Sequence, residues 1–402
     1  MTFLKKALSM KAELRAIRRQ LHQFPELSFL EYKTTKKIKN YLNSIDNMVV
    51  LTGKENIGLD TGVVGILSNG EGPTIAIRAD IDALPIAEEN KHNYKSQHKG
   101  VMHACGHDAH TTIGLGTAQL LATEMNKGKL TGKLVFIFQP AEEDTDENGL
   151  TGAPHLIKGG VLEKVDAVMA LHVNPEEPVG NVLINEGYSM ASVDTFEATL
   201  HGSGGHAAYP HHASDPIWML GTILQHIQGI VARKVSPLEP SVISVTHIET
   251  TPSYNVIPNE VKLQGTIRSY HPSTRFQLEE ELNKALELTR FMGGDYTLSV
   301  NHGEPVLYNN PSVTRWYEQT VQDILPEFTI EHKPFGLGGE DFSHMTERVP
   351  GAMFFLGAQK DQQPNRGLHM PEFDINEDAI IYGITIFAET ASRFLKGIYK
   401  IG

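Results

Sequence analysis

The stretch Leu134-Val-Phe-Ile-Phe-Gln-Pro-Ala-Glu-Glu143 decides how the chain is read. It opens as an unbroken apolar run of branched and aromatic residues, the pattern of a strand buried on both faces. It closes, past a proline, on two adjacent carboxylates. Three more short apolar runs, at 62–67, 74–79 and 167–171, alternate with helical or loop segments, and 111–125 reads as a helix. Apolar strands interleaved with helices predict an α/β fold with a mostly parallel sheet covered on both faces.

Working outward, 12–23 carries Leu14, Ile17 and Leu21 at helical spacing. Ser28 with Glu31 reads as a capping box opening a second helix to Leu42. From Ser192 the pattern changes. Residues 193–200 alternate like a strand, Asp215-Pro216 starts a helix over 217–232, and 241–249 and 260–269 alternate again. A helix over 273–292 and a strand over 296–300 complete the order β-α-β-β-α-β, the ferredoxin-like split unit. Two domains are expected, one over 1–188 and 303–402, and a nested α+β domain over 189–302.

The 402 residues, 40% of them hydrophobic, suffice for a large core and more than one domain. A formal charge of -13 without Lys/Arg clusters excludes a nucleic-acid-binding surface. No stretch approaches the roughly 20 apolar residues that span a bilayer. Lys11 and Glu13 interrupt the N-terminal segment before a signal-peptide core forms. One cysteine permits no internal disulfide, so a cytoplasmic setting is expected.

That cysteine stands in Met102-His-Ala-Cys-Gly-His-Asp-Ala-His110. Cys105 and His107, two apart around Gly106, can point into one site from a loop, as thiolate and neutral imidazole ligands. Equally, Cys105 reads as buried filler, and His103 and His110 as structural residues. The pair Glu142-Glu143 repels itself unless a cation holds it or it stays solvated. A metal would use one as ligand and leave the other as general base. The acidic run Asp144, Asp146, Glu147 supports the solvated alternative. His172 follows the apolar run 167–171, and Asp82 follows 74–79, placed to orient a ligand histidine or to cap a turn. Taken together, Asp82, Cys105, His107, Glu142, Glu143 and His172 all fall at or shortly beyond strand ends, where open α/β sheets build their sites.

At this point the sequence resembles the dinuclear-metal aminoacylase and carboxypeptidase hydrolases. It looks closest to the amidohydrolase branch of indoleacetyl-amino-acid hydrolases, hippurate hydrolases and N-acetyldiaminopimelate deacetylases. The strings that carry the resemblance run nearly end to end. They include Leu21-His-Gln-Phe-Pro-Glu-Leu-Ser-Phe29, Arg78-Ala-Asp-Ile-Asp-Ala-Leu-Pro85, His103-Ala-Cys-Gly-His-Asp-Ala-His110 and Phe138-Gln-Pro-Ala-Glu-Glu143. Leu171-His172, Gly204-Gly-His-Ala-Ala208, Asn255-Val-Ile-Pro258, Gly265-Thr-Ile-Arg268, Gly339-Glu-Asp-Phe-Ser343 and Leu368-His369 follow.

The resemblance implies two divalent metal ions (Zn, Mn, Co or Ni) held by Cys105, His107, Glu143, His172 and His369, with Cys105 bridging. It implies Glu142 as general base and Asp82 as the acid supporting the cluster. His206, Asn255 and Arg268 match positions that bind the substrate carboxylate or the developing oxyanion. In some relatives the residue matching His206 reaches across a dimer interface. The nested domain matches the lid, which commonly provides the dimer contact, so a homodimer or higher homo-oligomer is expected. The substrate implied is an N-acyl amino acid or a small peptide with a free carboxylate. The acidic run Asp144–Asn148 departs from the glycine-rich residues of many relatives and bears on the pocket rim. Two rival readings are a Cys105 nucleophile paired with His107 or His110, and a non-enzymatic protein that keeps the fold.

Overall fold

The computed structural model describes residues 2–361 and 366–402. The apolar runs form the middle of an eight-stranded sheet. Its strand order is Val49–Leu51, Val63–Asn69, Gly132–Gln139, Thr74–Asp80, Ala167–Pro178, Gly351–Gln359, Asn181–Leu183 and Thr329–Glu331. The four central strands, Gly132–Gln139 to Gly351–Gln359, run parallel to one another. Antiparallel pairings lie outside them, on Val63–Asn69 at one side and Asn181–Leu183 at the other. All seven residues of Thr74–Asp80 are buried, as a strand covered on both faces requires.

Helix His107–Asn126 is buried over most of its length, including Ile113, Leu120, Leu121 and Met125. It packs on helix Asp378–Leu395, whose Ile380, Ile384 and Phe387 are also buried. Each such Ile, Leu or Phe contributes about 1.5–3 kcal/mol on leaving water. The close approach depends on Gly116, where a Cβ would fall 2.4 Å from Ile384 Cδ1.

One local expectation is corrected. The helix after Leu27 begins at Tyr32, without a Ser28/Glu31 capping box. Ser28 Oγ instead donates to Asp82 Oδ2 (2.7 Å), and Glu31 Oε1 accepts from the Phe29 and Ala141 N–H groups. The carboxylate at the helix start is Glu26, which accepts from Thr34 N at 2.8 Å. Longer-range partners outcompeted the local cap.

The chain divides into two compact units, Met1–Gly187 with Tyr308–Phe335 and Asp341–Gly402, and Tyr188–Leu307 with Gly336–Glu340. The second has an antiparallel sheet in the order Ser241–Glu249, Glu260–Ser269, Ser192–His201, Asp295–His302. Helices Pro216–Lys234 and Pro272–Phe291 lie against it, with Met219, Ile223, Ile227, Leu278 and Leu282 in its core. This is the expected β-α-β-β-α-β arrangement. Asp215 caps its first helix through Ile217 N (2.8 Å) and Trp218 N (3.3 Å). Among the described residues no helix is long and apolar enough to cross a membrane.

Candidate metal centre

Strand register in the first unit brings the candidate ligands to one level. Asp80 pairs with Gln139, so Glu142 and Glu143 emerge just beyond the end of strand Gly132–Gln139. Ile77 pairs with Met169, the last pair of that ladder, three residues before Asp80 on one strand and His172 on the other. His172 does not follow its strand, as the sequence suggested. It lies within Ala167–Pro178, opposite Phe355, and its ring stacks on that phenylalanine at 5.0 Å. His107 also departs from the expected loop position, being the first residue of helix His107–Asn126. Gly106 makes this turn possible. Its φ is +92°, and a Cβ there would lie 2.3 Å from Val173 Cγ2, so a side chain would meet both strain and a clash.

Each ring nitrogen can be assigned from what it meets. His107 Nδ1 lies 3.0 Å from the Asp82 carbonyl oxygen and 3.1 Å from its Oδ1, both acceptors, so Nδ1 carries a proton. Nε2 then faces Glu143 Oε1 at 3.7 Å, Asp80 Oδ2 at 3.8 Å and Glu142 Oε2 at 3.9 Å. It is buried without a hydrogen-bond partner among the described residues, and so is Glu143 Oε1. His172 Nδ1 donates to the Val173 carbonyl at 2.8 Å, which leaves its Nε2 lone pair 3.3 Å from Cys105 Sγ. His369 sits at φ 60°, its N–H bonded to the Ala104 carbonyl, with Nε2 3.3 Å from Glu143 Oε1. Buried polar atoms are rarely left unpaired unless an ion or water completes them. Sulfur, imidazole and carboxylate donors converging on such atoms fit divalent metal.

The electrostatics agree. Burial pushes the Cys105 thiol well above its ordinary pKa, and Glu143, Glu142 and Asp80 push it further. Burial by itself would lower His107, but Asp80, Asp82 and Glu143 outweigh it and raise the pKa to about 10. His172 is driven well below its usual value by burial and by His110. Without a bound cation, therefore, protons on Cys105 and His107 offset the carboxylates.

Several supporting residues carried no assigned role in the sequence. Asp80 accepts from His110 Nδ1 (2.6 Å) and from Arg78 Nη1 (2.7 Å). His110 Nε2 accepts the Val173 N–H at 2.9 Å, so both its nitrogens are engaged. Arg78 also reaches Gln139 Oε1 (2.9 Å) and Asp341 Oδ1 (2.8 Å). Asp80 and Asp341 stand in Arg78-Ala-Asp80 and Gly339-Glu-Asp341. Only the long-range pairing reveals their use. His103 is buried with neither ring nitrogen hydrogen-bonded among the described residues, and burial lowers its pKa to about 4.

The remaining candidates lie in the second unit. His206 is exposed, on a two-residue strand paired with Val256–Ile257, and Asn255 lies beside it with its carbonyl accepting from Ala207 N. His206 Nδ1 accepts from Ala208 N at 3.1 Å, so Nε2–H is the outward donor. Arg268 is separate from this pair, on strand Glu260–Ser269, half-buried, with Nη1 bonded to the Leu337 carbonyl at 3.0 Å.

Fold and donor cluster together define a metallohydrolase. The sequence profile of Peptidase family M20/M25/M40 matches residues 76–393, and the chain belongs to that family, in its amidohydrolase and carboxypeptidase branch. Thermostable carboxypeptidase 2 of Saccharolobus solfataricus is 39% identical over 388 residues, covering 94% of each chain. N-acetylcysteine deacetylase of Bacillus subtilis is 37% identical over 392 residues, covering 95% of this chain and 97% of its own. The crystal structure of the Bacillus subtilis YXEP protein, described as a dinuclear metal binding peptidase, superposes with a TM-score of 0.83 at 33% identity. It covers 96% of this chain and 99% of its own.

Proposed function

We propose that the protein hydrolyses the amide bond of N-acyl amino acids, or of small peptides with a free carboxylate, using two divalent metal ions. The observation that carries this reading is that His107 Nε2 and Glu143 Oε1, buried and without a hydrogen bond among the described residues, converge with Glu142 and His369. Cys105, His107, Glu143, His172 and His369 would hold the ions, Zn, Mn, Co or Ni. Bound there, such ions supply the Lewis acidity that polarises a carbonyl and acidifies a water.

The chain's own groups do the rest. Asp82 fixes His107 in the tautomer that presents Nε2. Glu142 takes the proton of the attacking water and returns it to the leaving nitrogen. His206 donates through Nε2–H to the developing oxyanion, while Asn255 and Arg268 recognise the substrate carboxylate. The first unit is the catalytic domain in this reading, and the second the lid. The exposed Ile217 and Trp218 on helix Pro216–Lys234 support a homodimer through that second unit. A reducing, cytoplasmic setting suits a lone thiol used as a ligand.

A carboxypeptidase acting on short peptides is the second reading, favoured by the likeness to thermostable carboxypeptidase 2. A Cys105 nucleophile is disfavoured, because reactive thiols have depressed pKa values and that of Cys105 is raised. The test is Glu142→Gln, assayed on a panel of N-acyl amino acids and dipeptides after reconstitution with each metal. Lost turnover with retained metal supports the reading. Near-normal turnover sinks it.

A further inference from the structure

We propose that His22, Glu88 and His92 form another metal site, distinct from the Cys105 cluster, which takes one divalent ion of the zinc class. His22 belongs to helix Lys11–Gln23. Glu88 and His92 belong to the long connection between strand Thr74–Asp80 and helix His107–Asn126, which holds no helix or strand of its own. The connection is already anchored by Asn90 on the Phe373 carbonyl, Tyr94 on Asp374 and Ser96 N on Glu88 Oε2. An ion bound here ties the loop to the helix.

The spacing fits tetrahedral coordination. Glu88 Oε1 lies 3.3 Å from His22 Nε2 and 3.2 Å from His92 Nε2, and all three donor atoms fall within 4.8 Å of one another. A metal–nitrogen distance of about 2.0–2.1 Å places neighbouring tetrahedral ligands about 3.3 Å apart. The far side of His22 has the arrangement that orients metal-bound imidazoles, with Nδ1 2.8 Å from Asp108 Oδ2. His92 is held by stacking on Tyr94, ring centroids 3.6 Å apart at 14°. Both its nitrogens are buried without a hydrogen-bond partner among the described residues.

The neighbouring charges leave room for a cation. Arg18 is engaged by Asp108, Asp374 and Glu377, Lys360 by Asp374, and Arg366 by Asp361 and Asp374. Glu88 has a side chain only 1% exposed, and its ion-pair partners among the described residues are His22 and His92. The rival arrangement is a proton on His22, shared between Asp108 and Glu88, with no metal.

The two arrangements are separated by counting zinc in the reconstituted, gel-filtered full-length protein and in His92→Ala. The expected result is one equivalent less zinc in the variant, with turnover within about twofold of the parent and a smaller zinc-dependent rise in melting temperature. Taking the difference removes the contribution of the Cys105 cluster, so this inference and the proposed activity can fail separately. Anomalous diffraction at the zinc edge from crystals of the unmodified protein is the second measurement, and does not depend on a variant folding. A peak between His22, Glu88 and His92 supports the site. Equal zinc content in parent and variant, or no peak there, overturns it in favour of the proton.

Discussion

In the first unit, His107, His110 and His172 each have Nδ1 against a carboxylate or a backbone carbonyl, and all three rings are buried. In the second, His206 is exposed on a two-residue ladder with exposed Asn255 just before the partner strand, and the His206 ring accepts from Ala208 N within its own turn. The contrast separates two demands on one enzyme. Donor atoms for a metal must be fixed within fractions of an ångström, so their tautomers and orientations are set by a surrounding network. Groups that recognise a variable substrate are better placed on sparsely packed backbone. Sequence relatives of this chain include a carboxypeptidase and a deacetylase.

The largest effect expected within the fixed region is from Glu142→Gln. Turnover should fall by about 10²–10⁴-fold, the range for loss of a general acid–base group, while metal content measured by mass spectrometry stays at the parent value. A next, smaller break is Asp82→Asn. The ring of His107 loses its carboxylate partner, and metal affinity should drop by about 10–100-fold. Competition with a chromophoric chelator reads this out, and an unchanged affinity would remove Asp82 from the site.

Metal uptake should also depend on pH with a defined sign. Since His107 titrates near pH 10 and the Cys105 thiol is raised, both hold protons at pH 7 that an ion must displace. Affinity therefore rises as pH increases toward about 10. Calorimetry in buffers of different ionisation enthalpy should detect the released protons. In the second unit, under the proposed function, Arg268→Ala should raise KM by about tenfold for substrates with a free carboxylate and change kcat less, because a carboxylate contact would be lost from ground and transition state alike. Arg268→Lys should recover only part of it, lacking the planar fork.

How much of this was legible follows the same division. Four of the eight strands, Val63–Asn69, Thr74–Asp80, Gly132–Gln139 and Ala167–Pro178, read from apolar runs, because burial on both faces demands that composition. Gly351–Gln359, equally buried, and the three short strands Val49–Leu51, Asn181–Leu183 and Thr329–Glu331 did not. The Asp215-Pro216 helix start read correctly because its determinants are adjacent in sequence. The Ser28–Glu31 cap did not, because Asp82 and Ala141, distant in sequence, bind those side chains instead. His172 was placed past its strand because the apolar run stops at Leu171, while the ladder with Gly351–Gln359 continues. Asp80, Gln139 and Asp341 illustrate the limit most clearly. Their value lies in Arg78, a guanidinium that joins three segments, and no local periodicity encodes such a pairing.

Glu31 gives the smallest and sharpest probe of the fixed region. Its Oε1 holds the N–H of Ala141 at 2.8 Å, and Ala141 has φ 52°, a left-handed conformation that disfavours any residue with a side chain. That turn immediately precedes Glu142. Burial, then the Asp82 charge, raises the Glu31 pKa to about 8. The unfolded chain releases this proton near pH 4.5, the folded chain only near 8, so the folded state binds more protons between those values. Stability therefore falls as pH rises across that window and levels off above it. Glu31→Gln keeps an acceptor for Ala141 and cannot ionise. The variant should show a flatter stability profile between pH 4.5 and 8 in urea melts, with a gain over the parent at pH 8 of about 1.4 kcal/mol for each unit by which the Glu31 pKa is raised, and turnover within about fivefold. An unchanged slope would mean that Glu31 is already ionised in the folded protein, and that the turn aiming Glu142 is held by a charged acceptor.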